Sequence, residues 1–274
     1  VNRFDYTGYA SAYYSAGAVA FANTRAYLEA MGFDRVHDEN SFPIHRRTRW
    51  GAYDEELFAF YLGDARHVRR PFFHTLMTST SHEPFDVPVD EGFPGKDQPQ
   101  QYRNSVHYTD RTLAAMIDAA KGQSWYDSTL IVIVADHGHY LPHNRPHHAA
   151  ERHRIPLLFA GGALRQNLRG TTNPTYGTHT DLATTLLQQV GLPPMQSAWS
   201  KNLFDPTVPH FAFWTFDDGF GIADAAQCQV YDNLSGLLLQ RRDTMRSTDQ
   251  DANQLRNGKA LEQVLLDQYL GLSQ

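Results

Sequence analysis

The order of apolar and polar positions divides this chain into alternating strands and helices over its first two thirds, and into short strands after that. Ala10-Ser11-Ala12-Tyr13-Tyr14, closed by Gly17, predicts an aromatic strand. Val19 to Met31 predicts a helix, stopped by Gly32 where a left-handed residue commonly ends one. Asp54 to Val68 predicts a second helix, whose acidic first turn and basic end suit the helix dipole. Pro71 to Thr78 is an apolar run that fits a buried strand. Tyr102, Val106, Leu113, Met116, Ile117 and Ala120 recur at the helical period and mark one face of a long helix. Leu130-Ile131-Val132-Ile133-Val134 is continuous and mostly β-branched, as a central strand covered on both faces would be. Ile155 to Ala160 predicts a further strand, and Ala183, Leu186, Leu187 and Val190 a further helix face.

This alternation implies an α/β fold with a mixed, mostly parallel sheet flanked by helices. After about residue 205 the character changes. Segments around Phe211–Trp214, Gly219–Ile222, Gln229–Tyr231 and Leu237–Leu239 are short and separated by Asp, Gly and Asn turns. They predict a small antiparallel sheet, followed by a helix over Leu261 to Leu270. Residues 1–205 therefore read as an α/β core, and 206–274 as antiparallel strands plus a terminal helix of the same domain.

Composition narrows the function classes. With 41% apolar and 20% charged residues, the 274-residue chain buries a sizeable core. A net charge of −6 argues against a nucleic-acid partner, which needs a basic surface. The single thiol, Cys228, forms no internal disulfide and leaves the compartment open. No apolar run approaches the roughly 18–20 residues of a membrane span.

The central chemical feature is Val134-Ala135-Asp136-His137-Gly138. A carboxylate and an imidazole stand side by side where a strand ends, which is where ligands bind in open α/β sheets. Adjacent strand residues point to opposite faces, so both reach one metal only if the chain leaves the extended conformation, as Gly138 allows. Mixed oxygen and nitrogen ligation suits Zn²⁺ or Mn²⁺ above Mg²⁺ or Ca²⁺. The alternative is a solvated Asp-His turn.

Taken in order, that motif, Arg154-Ile155-Pro156-Leu157, Thr180-Asp181-Leu182-Ala183-Thr184-Thr185-Leu186-Leu187 and Gly191-Leu192-Pro193 resemble the sulfatase and alkaline phosphatase superfamily. Pro71-Phe72-Phe73 through Ser81-His82-Glu83-Pro84-Phe85, together with Arg49-Trp50-Gly51-Ala52-Tyr53-Asp54, resemble its lipoteichoic acid synthase-like, phosphoglycerol-transferring branch. The resemblance implies an alkaline phosphatase-like fold. It also implies an extracytoplasmic enzyme, joined to the cell membrane by a region before Val1. Its chemistry would be metal-dependent transfer or hydrolysis of a phosphate ester through a covalent intermediate. Asp136 and His137 take the metal-ligand positions for one divalent ion (Mn, Zn, Mg or Ca), and His82 matches the branch's substrate-contacting histidine. The nucleophile and first acidic ligand would precede Val1, so the chain is expected to be an incomplete fragment, inactive alone. No Cys/Ser-x-Pro-x-Arg signature of a sulfatase occurs.

By their own chemistry, Arg49 offers a planar fork to a phosphate and Trp50 a wall for a glycerol or sugar unit, with Arg46 and Arg47 nearby. His82 offers a proton or a hydrogen bond to an anionic ester. The alternatives for these residues are a solvated basic loop and a backbone-capping histidine. His139, His143, His147, His148 and His153 form either a second metal site or a loop over the first, interrupted by Pro142 and Pro146. His179 is expected to cap the helix that contains Asp181. Two other functions stay open: a sulfatase acting on sulfate esters, and a non-catalytic binding module that kept the fold.

Overall fold

The computed structural model describes residues 1, 4, 7–68, 71–88, 92–243 and 248–272. The chain packs as two compact units. One comprises residues 1–133, 141–143 and 157–169; the other comprises 134–140, 144–156 and 170–274.

The first unit is organised by strand β1 (Ala10–Ser15), which pairs in parallel with β2 (Arg35–His37) on one side and β5 (Phe72–Met77) on the other. Alternation along β1 sends Ala12 and Tyr14 to one face and Tyr13 to the other. The first face packs against helix α2 (Asp54–Asp64), through Leu57, Phe58 and Tyr61, and against Met116 and Ala120 of α3 (Gln98–Ala120). The opposite face takes Leu28 of α1 (Thr24–Ala30) and Val19. Covered on both faces, β1 is buried from Ser11 to Ser15, and its buried Ser11 hydroxyl donates to Asp34 Oδ2 at 3.0 Å. The short ladder β3 (Arg47–Thr48) with β4 (Gly51–Ala52) precedes α2. A second pair, β6 (Ile131–Val134) and β7 (Leu157–Ala160), follows α3.

In the second unit, β8 (Ala212–Phe216), β9 (Gly219–Ala223), β10 (Gln227–Asp232) and β11 (Leu237–Asp243) form the expected antiparallel meander. Helix α6 (Thr248–Leu272) packs on β9 and β10 and is longer than the sequence pattern indicates. The unit also contains the one-turn helix α4 (Ala150–His153) and helix α5 (His179–Gln189).

Five expectations need correction. The helix expected from Val19 starts as a 3₁₀ turn at Phe21–Asn23, because Ala22 and Asn23 adopt left-handed backbone angles that interrupt regular helix. The second helix ends at Asp64 and continues only as a 3₁₀ turn through His67. On α3 the buried side is Asn104, Tyr108, Thr112 and Met116, whereas Val106 is exposed. On α5, Ala183 and Val190 are exposed and Asp181, Thr184, Thr185 and Leu187 are buried. That polar face is satisfied by the following segment. Lys201 Nζ lies 3.0 Å from Asp181 Oδ1. Met195 N–H donates to Thr184 Oγ1 at 3.2 Å and Leu203 N–H to Thr185 Oγ1 at 2.9 Å. Strand β6 also differs from a fully covered central strand. Among the described residues its one sheet neighbour is β7, and Ile131 to Ile133 are half-buried.

His74 of β5 carries a consequence for stability. Its ring packs against Phe72 at 4.5 Å, Tyr14 at 5.6 Å and Tyr61 at 5.8 Å, and among the described residues neither nitrogen has a hydrogen-bond partner. Burial, followed by the Arg35 cation nearby, lowers its pKa from 6.5 to about 4. The unfolded chain thus binds a proton that the folded chain refuses, and folding is penalised as pH falls from 6.5 toward 4. The denaturation midpoint of the wild type should drop over that window by more than that of His74→Phe. Parallel pH profiles for the two proteins would refute this.

Candidate functional site

The chain leaves the extended conformation immediately after β6, and the bend is closed by backbone hydrogen bonds. Asp136 Oδ1 accepts the His137 N–H at 2.9 Å. His137 Nδ1 lies 2.9 Å from the carbonyl oxygen of Gly138. A carbonyl only accepts, so Nδ1 carries the hydrogen and Nε2 keeps its lone pair in the neutral ring. The two atoms left over are Asp136 Oδ2 and His137 Nε2. They stand 3.6 Å apart on side chains that are 65% and 69% exposed. A carboxylate oxygen and an imidazole lone pair at that spacing suit a single divalent ion, whose bonds to such donors run about 2.0–2.2 Å. The donor set fits the metal that the sequence implies. Among the described residues no cluster of three or more His, Cys, Asp and Glu side chains that could hold a metal ion forms around the pair.

The turn is braced within its own unit. His179 Nε2 donates to the Ala135 carbonyl at 2.8 Å, tying the start of α5 to the residue before Asp136. The expected capping role falls instead to Thr178, which is the N-cap residue of α5, while Asp181 Oδ2 accepts the Thr178 N–H at 2.9 Å. Gly138 is required for a different reason from the expected one. Its backbone angles are not left-handed, but a Cβ there would overlap the carbonyl oxygen of Arg152. Arg152 in turn lies over the Tyr140 ring at 5.7 Å.

Of the histidines that follow, His139, His148 and His153 pack against aromatic rings, and His143 is exposed. His153 stacks on Trp214 at 5.3 Å, and its Nε2 donates to the His147 carbonyl at 2.8 Å. Burial lowers the His153 pKa. His148 lies 6.2 Å from Phe216, and His139 lies 4.4 Å from Tyr140.

In the first unit, Arg49, Trp50 and His82 come together around a cleft of about 330 Å³, lined also by Glu83, Gln98 and Gln101. The Trp50 and His82 rings are 4.6 Å apart and tilted by 56°. Trp50 Nε1 donates to the Glu83 carbonyl at 2.5 Å. His82 Nδ1 lies 3.0 Å from the same oxygen, so its lone pair also sits on Nε2.

Most of the basic run beside this cleft is already committed. Arg46 pairs with Glu55 and lies over the Tyr53 ring, and Arg47 pairs with Glu39 at 2.7 Å. Glu56 takes the backbone N–H groups of His45 and Arg46. Arg49 has no carboxylate partner among the described residues, and its exposed guanidinium is the one in this run free to meet an anion. The sequence could have revealed this division, because Glu55 and Glu56 open α2 within reach of the run.

Comparison with known proteins identifies the family. Relatives include the lipoteichoic acid synthase-like YvgJ of Bacillus subtilis, 25% identical over 204 residues, which cover 67% of this chain and 33% of that protein. Phosphoglycerol transferase I of Escherichia coli is 26% identical over 145 residues, 48% of this chain and 19% of that one. The chain thus spans at most about a third of the length of these relatives. A crystal structure from the alkaline phosphatase superfamily of Vibrio parahaemolyticus superposes with a TM-score of 0.72. It is 23% identical and covers 95% of this chain and 67% of its own. It shares the expected fold, with its mixed, partly parallel sheet, helices and C-terminal antiparallel sheet. The sulfatase family model matches residues 3–192, and the chain belongs to the sulfatase family.

Proposed function

We propose that this chain contributes metal and substrate ligands to a phosphotransferase or phosphohydrolase acting on phosphoglycerol-type esters at the cell envelope. The observation that carries the reading is the Asp136-His137 turn. Its two outer heteroatoms, Asp136 Oδ2 and His137 Nε2, are 3.6 Å apart, while the other heteroatom of each side chain is engaged by backbone. Within the sulfatase family, kinship with lipoteichoic acid synthase-like and phosphoglycerol transferase proteins favours a phosphate ester over a sulfate ester. A divalent ion bound at this pair would stabilise negative charge on the transferred group.

The chain's own residues then divide the work. Asp136 and His137 hold the ion. In the first unit, Arg49 binds anionic oxygens through its fork and Trp50 walls the cleft against a glycerol unit. His82 presents Nε2 to the ester, where it accepts a hydrogen bond when neutral and donates one when protonated. The covalent step is assigned to no residue of this chain. Among the described residues no helix is long and apolar enough to cross a membrane, and attachment to one is part of the proposal.

Titration of Mn²⁺ or Zn²⁺ into the purified chain, followed by calorimetry, tests the metal pair. Binding should weaken by about tenfold or more in Asp136→Asn and in His137→Gln, since each removes one of two ligands. Equal affinities in all three proteins would rule out the assignment.

The substrate side is tested separately, by the affinity of the chain for glycerol 1-phosphate. Arg49→Ala should lower it by about tenfold, the scale of one charge-assisted hydrogen bond, whereas Arg47→Ala should leave it nearly unchanged. Stronger binding of a sulfate ester than of the phosphate ester would favour the sulfatase reading instead.

A further inference from the structure

Asp54 is fully buried, yet it is the first residue of a helix and carries a carboxylate. Removing a charge from water is costly unless its lone pairs are occupied, and here they are. Oδ1 accepts the N–H of Ser79 at 2.8 Å and the N–H of Thr80 at 3.2 Å, while Oδ2 accepts from Thr109 Oγ1 at 3.3 Å. The contact is reciprocal. The Asp54 N–H, which α2 leaves unsatisfied, donates to Thr80 Oγ1 at 2.9 Å, and Tyr53 at the N-cap position gives no side-chain cap. Burial pushes the Asp54 carboxyl above the ordinary carboxylate range, with the Ser79 and Thr80 N–H groups pulling against it.

Each segment locked in this way runs directly into the cleft. From Thr80 the chain turns, the His82 N–H donating to the Ser79 carbonyl at 3.1 Å, and presents His82 and Glu83. From Asp54, going backward, Gly51 lies so close to Ala16 that a Cβ would overlap its carbonyl oxygen. The Ala52 N–H donates to that same carbonyl at 2.8 Å, and the Trp50 N–H donates to Thr48 Oγ1 at 3.1 Å. The Trp50 indole then bonds to the Glu83 carbonyl and closes the ring of contacts. None of these bonds depends on Asp54 touching a ligand.

We infer that Asp54 is a positioning residue, whose carboxylate fixes the spacing between Trp50 and His82 and so sets the affinity of the cleft for a phosphoglycerol-type anion. This rests on the substrate side of the proposed function. It also predicts a behaviour that does not involve ligand, namely that the Trp50 indole N–H is protected only while Asp54 holds Ser79 and Thr80.

The test uses the full chain, with glycerol 1-phosphate as probe and the Trp50 indole N–H followed by NMR exchange. Asp54→Ala should weaken binding by about tenfold and speed indole exchange. Asp54→Asn keeps an oxygen at the Oδ1 position for the Ser79 and Thr80 N–H groups, and should restore both readouts to within about threefold of wild type. Thr109→Val, which removes one hydrogen bond from the edge of the network, should show the same changes at smaller size and serves where Asp54→Ala does not fold. Wild-type affinity and wild-type indole exchange in Thr109→Val and in a folded Asp54→Ala would overturn the inference. So would failure of Asp54→Asn to restore either readout. If wild type binds no glycerol 1-phosphate but Asp54→Ala still frees the indole, the substrate reading fails and the lock stands.

Discussion

A histidine has two ring nitrogens and one proton when neutral, and both candidate sites depend on which nitrogen the backbone claims. At His137 and at His82 the answer is the same: Nδ1 donates to a carbonyl one residue on, Gly138 in one case and Glu83 in the other. That bond orients the ring, sets the tautomer and leaves Nε2 as a lone pair facing outward. Asp136 is treated in the same way, with Oδ1 committed to the His137 N–H and Oδ2 left over. A carboxylate and an imidazole on a solvated turn would otherwise sample many rotamers, and an ion or ester arriving there would bear the entropy of ordering them. Here the backbone has already fixed their directions.

That economy explains what surrounds each site. The Asp136-His137 turn needs its carbonyls and N–H groups at fixed places, so its flanks are braced at Ala135 by His179 and at Gly138 by the close approach of Arg152. The Arg49, Trp50 and His82 cleft is braced by acids: Glu55, Glu56 and Glu39 absorb the neighbouring basic run, and Asp54 ties the helix start to Ser79 and Thr80. Exposed ion pairs of this kind add little to stability. Their effect here is selective, since among the described residues they leave Arg49 as the cation of the run without a carboxylate partner.

Much of this was legible in the sequence. Strand β1, the parallel pairing around it and the C-terminal meander follow from apolar periodicity and turn residues, because those elements bury apolar side chains. Two of the failures, on α5 and α3, share one cause. Helix α5 buries Asp181, Thr184 and Thr185, and α3 buries Asn104 and Thr112. A search for apolar faces places such helices a fraction of a turn wrong when hydrogen bonds to a distant segment satisfy the polar side. The role of His179 is hidden from the sequence for the same reason: its partner is Ala135, forty-four residues earlier in the chain. Ordered motifs could place Asp136, His137 and His82 near a site, but could not show which of their atoms remain available.

Asp54 is the clearest case of a residue whose role neither burial nor sequence position reveals alone. An acidic residue opening a helix reads as a favourable dipole contact, and a buried acid reads as a cost. The structure combines both facts with a third. The groups that neutralise the cost are the N–H groups of Ser79 and Thr80, and Thr80 returns a hydroxyl to the helix start. A dipole contact alone would tolerate Glu at this position or an exposed rotamer. A reciprocal lock requires a short side chain, full burial and a hydroxyl at residue 80, and all three are present. The stability of α2 and the placement of His82 are therefore linked through the same pair of residues, so a change that loosens one should loosen the other.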